Sequence, residues 1–445
     1  MIELSPLGVV ITMFGGLILT IVIFGYPLAF SLGGIALVIG VLVWGPASLG
    51  MFYQRLYGIL TTYELLAAPL FIFMGYMVER SGAAERLFEA LYLWLGGFRG
   101  GLAIATVLMG TALAACVGVI AASVIMLGLI ALPAMLKRGY QKELACGAVC
   151  SGGTLGILIP PSVMLIFYGP TAGLSVGKLF MAAFFPGFLL SALYMGYIAI
   201  RCWVSPKLAP TVPAEERSVP LLRKTSLLLT SLLPLVILIV GVLGSIFLGI
   251  ATPTEASAVG SVVATILAVV YRSFRWKMLK DVLYDTMRVV GMAFFIAIGA
   301  SMFTGIFIGL GGGDAVANMI LSAPFGRWGA FLVIMVIIFI LGMFIDWLGI
   351  VLIIVPLVTP IAAALGFDPI WFAMMTIVNL QTSFLTPPFA YALFYVQSIC
   401  KPEWGVEMGH IIRGVIPFVV LIIVGLGLCI AFPQIILWLP NMMIK

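Results

Sequence analysis

Apolar residues run through this chain in long blocks separated by short polar gaps, not at the one-sided spacing of a soluble amphipathic helix. Blocks near 5–23, 28–45, 64–78, 142–170, 179–203, 226–248, 253–271, 288–310, 369–399 and 411–432 each read as one membrane span. Two more stretches, 101–136 and 328–365, fit neither one crossing nor two, because each half offers only about 15 residues against the ~20 that a crossing needs. Both are predicted to be re-entrant hairpins. Segments 51–62, 83–95 and 274–287 mix charges with aromatics and are predicted to lie at the interface as amphipathic helices.

Composition agrees with the pattern and removes other classes. Of 445 residues, 63% are hydrophobic and 9% charged, with a mean hydropathy of +1.27. Soluble domains are about half apolar and a quarter charged, so a soluble enzyme, a secreted disulfide scaffold and a disordered chain are all excluded. Glu3 stands where a secretory signal would be basic, so the first block reads as a retained span.

The net charge of +6 records orientation. If 204–225 is cytoplasmic, alternation of the spans leaves only Arg55, Lys178, Arg327 and Lys445 of the 22 Lys and Arg residues on the outer side. That asymmetry obeys the positive-inside rule and places both termini outside the cytoplasm.

The segment 204–225, with four prolines and the charges Glu215, Glu216 and Arg217, divides the chain nearly in half. Sliding the first half by 227 positions brings Pro133 onto Pro360, Gly139 onto Gly366, Pro160 and Pro161 onto Pro387 and Pro388, and Tyr168 onto Tyr395. Prolines and glycines in fixed register constrain backbone geometry, whereas coincident apolar residues mean little here. The predicted fold is an all-α integral membrane protein in two halves, 1–203 and 226–445, each with five spanning helices, one of them broken, and one hairpin. An odd number of crossings makes the second copy inverted, as in many secondary transporters.

The broken helices carry the candidate chemistry. In Ser151 to Gly169 a Pro-Pro pair follows a glycine- and hydroxyl-bearing run. Pro160 and Pro161 have no N–H, so the carbonyls of Gly156 and Ile157 lose their helical partners. In Asn379 to Tyr395, Pro387 and Pro388 do the same to Ser383 and Phe384, beside the side-chain oxygens of Asn379, Gln381, Thr382 and Thr386. Carbonyl oxygen at membrane depth is tolerated where protein or a polar site satisfies it, and a hard cation such as Na⁺ is one such partner. The half-helices restarting at Ser162 and Phe389 present positive dipole ends to a substrate carboxylate. A pair of packing kinks without a ligand is the alternative.

Asp346 sits in the second hairpin, either as a functional acid or as a hydrogen-bonded structural one. Glu255 reads as a helix N-terminal carboxylate, and Gly305, Gly309 and Gly313 read as a close-packing stripe. Cys146 and Cys150 read as packing residues, and the lone His410 gives no evidence of catalysis. With one histidine and no CxxC pair, neither a transition-metal site nor a disulfide framework is readable. No phosphate loop is present, so energy must come from an ion gradient or from partners. An intramembrane enzyme would need a catalytic dyad or metal ligands that this sequence does not offer.

The segments APLFIFMGYMVERSG, LPAMLKRGY, GTLGILIPPS, ATPTEAS and NLQTSFLTPPFAYALFY resemble the large membrane subunit of tripartite ATP-independent periplasmic (TRAP) transporters, the DctM type, over essentially the whole chain. The resemblance implies a bacterial inner-membrane importer that needs no cofactor beyond Na⁺ as coupling ion and does not bind nucleic acid. Its implied partners are the lipid bilayer, a small four-helix membrane subunit, a periplasmic substrate-binding protein and a small organic acid. It also implies an elevator, in which hairpins and broken helices move as a transport domain against a scaffold. The implied Na⁺ sites lie where hairpin tips meet broken helices. Here these are Cys116 and Gly118 with Ser151, Gly153, Thr154 and Gly156, and Gly342 and Asp346 with Gln381, Thr382, Ser383 and Thr386. Many members carry serines at the first hairpin tip, whereas this chain reads AACVGVIAAS, so its first site is expected to rely on backbone carbonyls with Ser123 as the nearest hydroxyl. A related ion-coupled carboxylate transporter without a binding protein is the alternative.

Overall fold

The computed structural model describes residues 5–213, 215–217, 219–322 and 324–443. Glu3, Lys445 and the side chains of Val117 and Arg217 lie outside that description. Among the described residues every regular element is helical.

Helix α1 (Pro6–Ile18) starts at Ser5, whose hydroxyl accepts from the Gly8 N–H at 3.1 Å, and continues through a π turn to Ile23. Helix α2 (Leu28–Trp44) follows. Helices α3 (Ala47–Thr61) and α4 (Ala67–Arg80) meet with a 54° bend after Thr61, so the expected interfacial segment and the expected span form one bent unit. Helix α5 (Ala83–Leu95) buries Ala84, Leu87, Phe88 and Leu91 and leaves Glu85, Arg86 and Glu89 outside, as its mixed sequence requires. The first hairpin is α6 (Gly101–Val117) and α7 (Ile120–Lys137), turned at Gly118, where φ is +64°. Its arms have 17 and 18 residues, longer than the half-spans expected.

The first broken helix consists of α8 (Lys142–Thr154) and α9 (Val163–Ala172). Helix α10 (Val176–Val204) is 29 residues long. The polar linker that follows is docked rather than free. The Val212 N–H donates to the Gly96 carbonyl at 2.8 Å, the Gln141 N–H donates to Leu208 at 2.8 Å, and Glu216 accepts from Arg138 and from the Tyr92 hydroxyl.

Helices α11 (Leu221–Phe247) and α12 (Pro253–Val270) are joined at a capping box in which Thr252 and Glu255 satisfy each other's backbone N–H groups. This is the structural role read for Glu255. Helix α13 (Trp276–Gly309) runs 34 residues without interruption and merges the expected interfacial segment 274–287 with the span 288–310. Nothing in its first half breaks a helix, and Arg80 anchors it by pairing with Asp281 at 3.5 Å and with Asp285. A short helix, α14 (Gly312–Leu321), was not expected. Cβ atoms on Gly305 and Gly309 would press on Arg55 and on the Trp44 ring, which is close packing, while Gly313 lies beyond the helix end.

The second hairpin is α15 (Gly326–Gly342), then α16 (Trp347–Ile353) and α17 (Val355–Ala364), which meet at 53°. The second broken helix is α18 (Pro369–Leu385) and α19 (Tyr391–Ile399), followed by α20 (Met408–Ala431) and α21 (Gln434–Met442). His410 caps α20 through its Nδ1, which accepts from the Glu407 N–H at 3.1 Å. Seven of the described helices are long and apolar enough to cross a bilayer alone, or nine units with each bent pair counted once. The seven include α7, an arm of the expected hairpin, and omit four of the ten expected spans: α2 has only 17 residues, α4 passes only as a bent pair with α3, and α8 with α9, and α18 with α19, reach crossing length only as pairs.

Candidate functional site

Helix α8 is buried along its length and packs against α6, α7 and α20. Glycine makes this closeness achievable, since a Cβ on Gly153 would stand 2.8 Å from Val124 Cα. After Thr154 the chain tightens into a single turn, Leu155–Ile157, loses helical structure, and restarts as α9 at Val163. The tip of the first hairpin lies against this break. A Cβ on Gly118 would sit 3.3 Å from the Pro161 carbonyl oxygen, and one on Gly156 would sit 2.7 Å from Ser123 Oγ.

The structure therefore brings together Gly118, Gly156, Pro161 and Ser123, with Cys116 buried two residues before the turn. It does not bring in the other expected donors. The Ser151 hydroxyl donates to Gly147 O at 2.7 Å, the Thr154 hydroxyl donates to Ser151 O at 3.0 Å, and Gly153 faces α7. Ser162 corrects the reading of freed carbonyls, because its hydroxyl donates to Ile157 O. Of the two carbonyls deprived by Pro160 and Pro161, one is satisfied within the loop. The Ser123 hydroxyl is buried without a hydrogen-bond partner.

At the second junction a Cβ on Gly342 would run into the Ser383 side chain. Two bonds fasten α18 to α15: Asn379 Nδ2 donates to Met335 O at 2.8 Å, and Ser383 Oγ donates to Phe339 O at 3.2 Å. Thr382 and Thr386 return their hydroxyls to the carbonyls of Asn379 and Thr382, at 2.6 and 2.7 Å. Here too one deprived carbonyl regains a donor, Ser383 O from the Thr386 N–H at 3.3 Å. The Phe389 N–H donates to Met343 O at 3.2 Å, so this amide is tied to the hairpin tip and is not free for a substrate, contrary to expectation. Asp346 caps α16, accepting from the Leu348 N–H at 3.4 Å, and lies within electrostatic reach of the Tyr391 and Tyr395 phenols. Both Pro160–Pro161 and Pro387–Pro388 bonds are cis.

Gln381 stands apart from these satisfied groups. It is 0% exposed, and neither its amide oxygen nor its amide nitrogen has a hydrogen-bond partner. Leaving such a group unpaired costs about 1–3 kcal/mol. Its amide oxygen, the carbonyls of Gly156 and Phe384 and the buried Ser123 hydroxyl are hard oxygen donors of the kind an alkali cation takes. Sequence reasoning missed three more buried hydroxyls, Tyr168, Thr359 and Thr376, which lie near one another. The register match of Tyr168 with Tyr395 was the available signal. Among the described residues no cluster of His, Cys, Asp or Glu could hold a metal, and Cys150 packs on Ala392 with Sγ 3.7 Å from its carbonyl oxygen.

Hairpin tips pressed into breaks of neighbouring helices, inside an all-helical membrane protein, define a membrane transporter. Residues 14–435 match the family described as tripartite ATP-independent periplasmic transporter, DctM component, and the chain belongs to that family. The C4-dicarboxylate TRAP transporter large permease protein DctM of Pseudomonas aeruginosa is 33% identical over 92% of this chain and 93% of its own length. The ectoine/5-hydroxyectoine TRAP transporter large permease protein UehC of Ruegeria pomeroyi is 31% identical over 88% of this chain and 89% of its own. A crystal structure of the YdaH transporter of Alcanivorax borkumensis shares the fold at 16% identity, with a TM-score of 0.63 over 92% of this chain and 98% of that one. The protein is thus the large permease subunit of a TRAP transporter, a multi-pass inner-membrane protein and not an enzyme. Its family works with a small membrane subunit and a periplasmic binding protein.

Proposed function

We propose that this permease couples an inward Na⁺ gradient to import of a small organic acid delivered by its binding protein. The observation that carries the reading is Gln381, a fully buried amide without a partner in the last turns of α18, before the break of the second broken helix. A cation bound there would satisfy the amide oxygen and offset the partial negative charge of nearby carbonyls, preparing the cavity for a carboxylate. C4-dicarboxylate and ectoine, in the names of the two relatives, both contain a carboxylate. That supports an organic acid without specifying which.

The inverted repeat and the elevator belong to the same reading. Gly139 and Gly366, 227 positions apart, both take left-handed backbone with φ of +75° and +77°, which supports two copies of one unit. The hairpins and broken helices would move together against the remaining helices. The reading is tested by uptake into proteoliposomes holding permease, small subunit and loaded binding protein. Uptake should require a Na⁺ gradient, and uptake unchanged after its collapse would refute the coupling.

A further inference from the structure

A polar crevice of about 450 Å³ opens between α3 and α13 on one side and α9, α16 and α17 on the other. That volume lies within the range of small-molecule sites. Arg55 lines it, no Asp or Glu does, and among the described residues Arg55 forms no ion pair. Gly305 gives the guanidinium its place against α13, since a Cβ there would stand 3.1 Å from Arg55 Nε. Gln54 and Ser301 also line the crevice and have no hydrogen bonds within the described chain. Thr304 spans the gap instead, donating to Leu352 O at 3.3 Å. One helical turn before the lining residue Ala297, Phe294 meets the lining ring of Phe167 with ring centres 6.2 Å apart.

An uncommitted guanidinium with neutral polar donors beside it and no carboxylate nearby is a receptor for an organic anion, because its planar fork matches a carboxylate. By the charge-derived orientation, α3 and the ends of α9 and α13 face the side where a binding protein would release its cargo. We propose that this crevice is a receiving site for the incoming organic acid, in which Arg55 holds the carboxylate before it reaches the broken helices. The inference rests on the import reading for its direction of travel. It does not depend on Na⁺ coupling. The site recognises the carboxylate and little else, so it should accept any small organic anion at high concentration.

The test uses the full chain in nanodiscs, with Cys400→Ser to remove the only partly exposed cysteine. A reporter cysteine is placed at Ser301→Cys, or on the other wall at Gly58→Cys, where a Cβ meets no atom within 4 Å. A negatively charged methanethiosulfonate should modify the reporter about tenfold faster than a positively charged one, as a nearby unit charge in a partly wet cleft dictates. Arg55→Gln should abolish the bias. Succinate should slow modification while mannitol does not, and Arg55→Lys should keep the charge bias but weaken succinate protection. The proposal is overturned if neither reporter is modified, if Arg55→Gln leaves the bias intact, or if succinate protects no better than mannitol. No sodium and no binding protein enter this measurement, so loss of Na⁺ coupling in the uptake assay would leave its result standing.

Discussion

At the first junction every residue from Ser151 to Gly169 is buried, whereas at the second Pro387, Pro388 and Phe389 stand exposed on the surface. Both begin from a Pro-Pro pair beside a hairpin whose glycine packs on the broken helix, Gly118 against Pro161 and Gly342 against Ser383. In each, one deprived carbonyl regains a donor, Ile157 from the Ser162 hydroxyl and Ser383 from the Thr386 amide. They differ in what is left over. The first leaves one small hydroxyl, Ser123, and the second leaves a whole buried amide, Gln381. On the proposed reading, a shared backbone break would set the place for a ligand, and the unpaired side chains near it would set how strongly a cation is held.

The largest expected effect is at the second junction. Gln381→Leu should reduce Na⁺-driven uptake by about tenfold or more, while thermal stability holds or rises, because an unpaired buried amide is replaced by an apolar group. Ser123→Ala should change uptake by less than about twofold, because a small hydroxyl left without a hydrogen bond contributes little. Equal losses from the two would erase the distinction between the junctions.

Pro388→Ala restores an N–H able to reach Phe384 in the helical pattern. It should weaken the Na⁺ dependence of uptake severalfold. Pro161→Ala should do less, because the carbonyl it would serve, on Ile157, already accepts from Ser162. Sodium titrations of uptake for the two variants decide this.

The hairpin tips give a smaller contrast. Gly342→Ala forces a methyl into the Ser383 side chain and should cost about 1–3 kcal/mol in stability as overpacking. Gly118→Ala pushes a side chain into left-handed backbone and should cost about 1–2 kcal/mol. Thermal unfolding in detergent measures both.

The smallest effect concerns the linker, which is tied to the end of α5 and to the connection between α7 and α8. The Arg138 guanidinium, with the Tyr92 hydroxyl second, holds the Glu216 carboxyl below its ordinary value of 4.5. A lowered carboxyl stabilises the fold above that ordinary value, and the contribution is lost as pH falls through the lowered one. Glu216→Gln should therefore melt slightly below the parent at neutral pH and together with it once Glu216 is protonated. A gap that persists in acid would contradict the ion pair as its cause.

Much of this construction is local and was legible in the chain. Prolines 160, 161, 387 and 388 mark the breaks, because those residues act on their own backbone, whereas the tips at Gly118 and Gly342 are what the family resemblance implied. The bend after Thr61 and the uninterrupted run of α13 were not legible, since neither depends on a proline or a glycine. The partners of the deprived carbonyls were missed for a different reason. Ser162 and Thr386 reach back within turns whose geometry the sequence does not set, and Met343 meets Phe389 across the fold. Arg55 carried just an orientation signal in the sequence, because its crevice is assembled from helices far apart in the chain.

The central claim is that the second junction holds the coupling cation through Gln381. Thermal unfolding of the purified chain in NaCl and in KCl at equal ionic strength tests it without any substrate. Sodium should raise the melting temperature of the parent above its value in potassium, and Gln381→Leu should remove most of that difference. An equal sodium shift in both chains, or none in the parent, would contradict the claim.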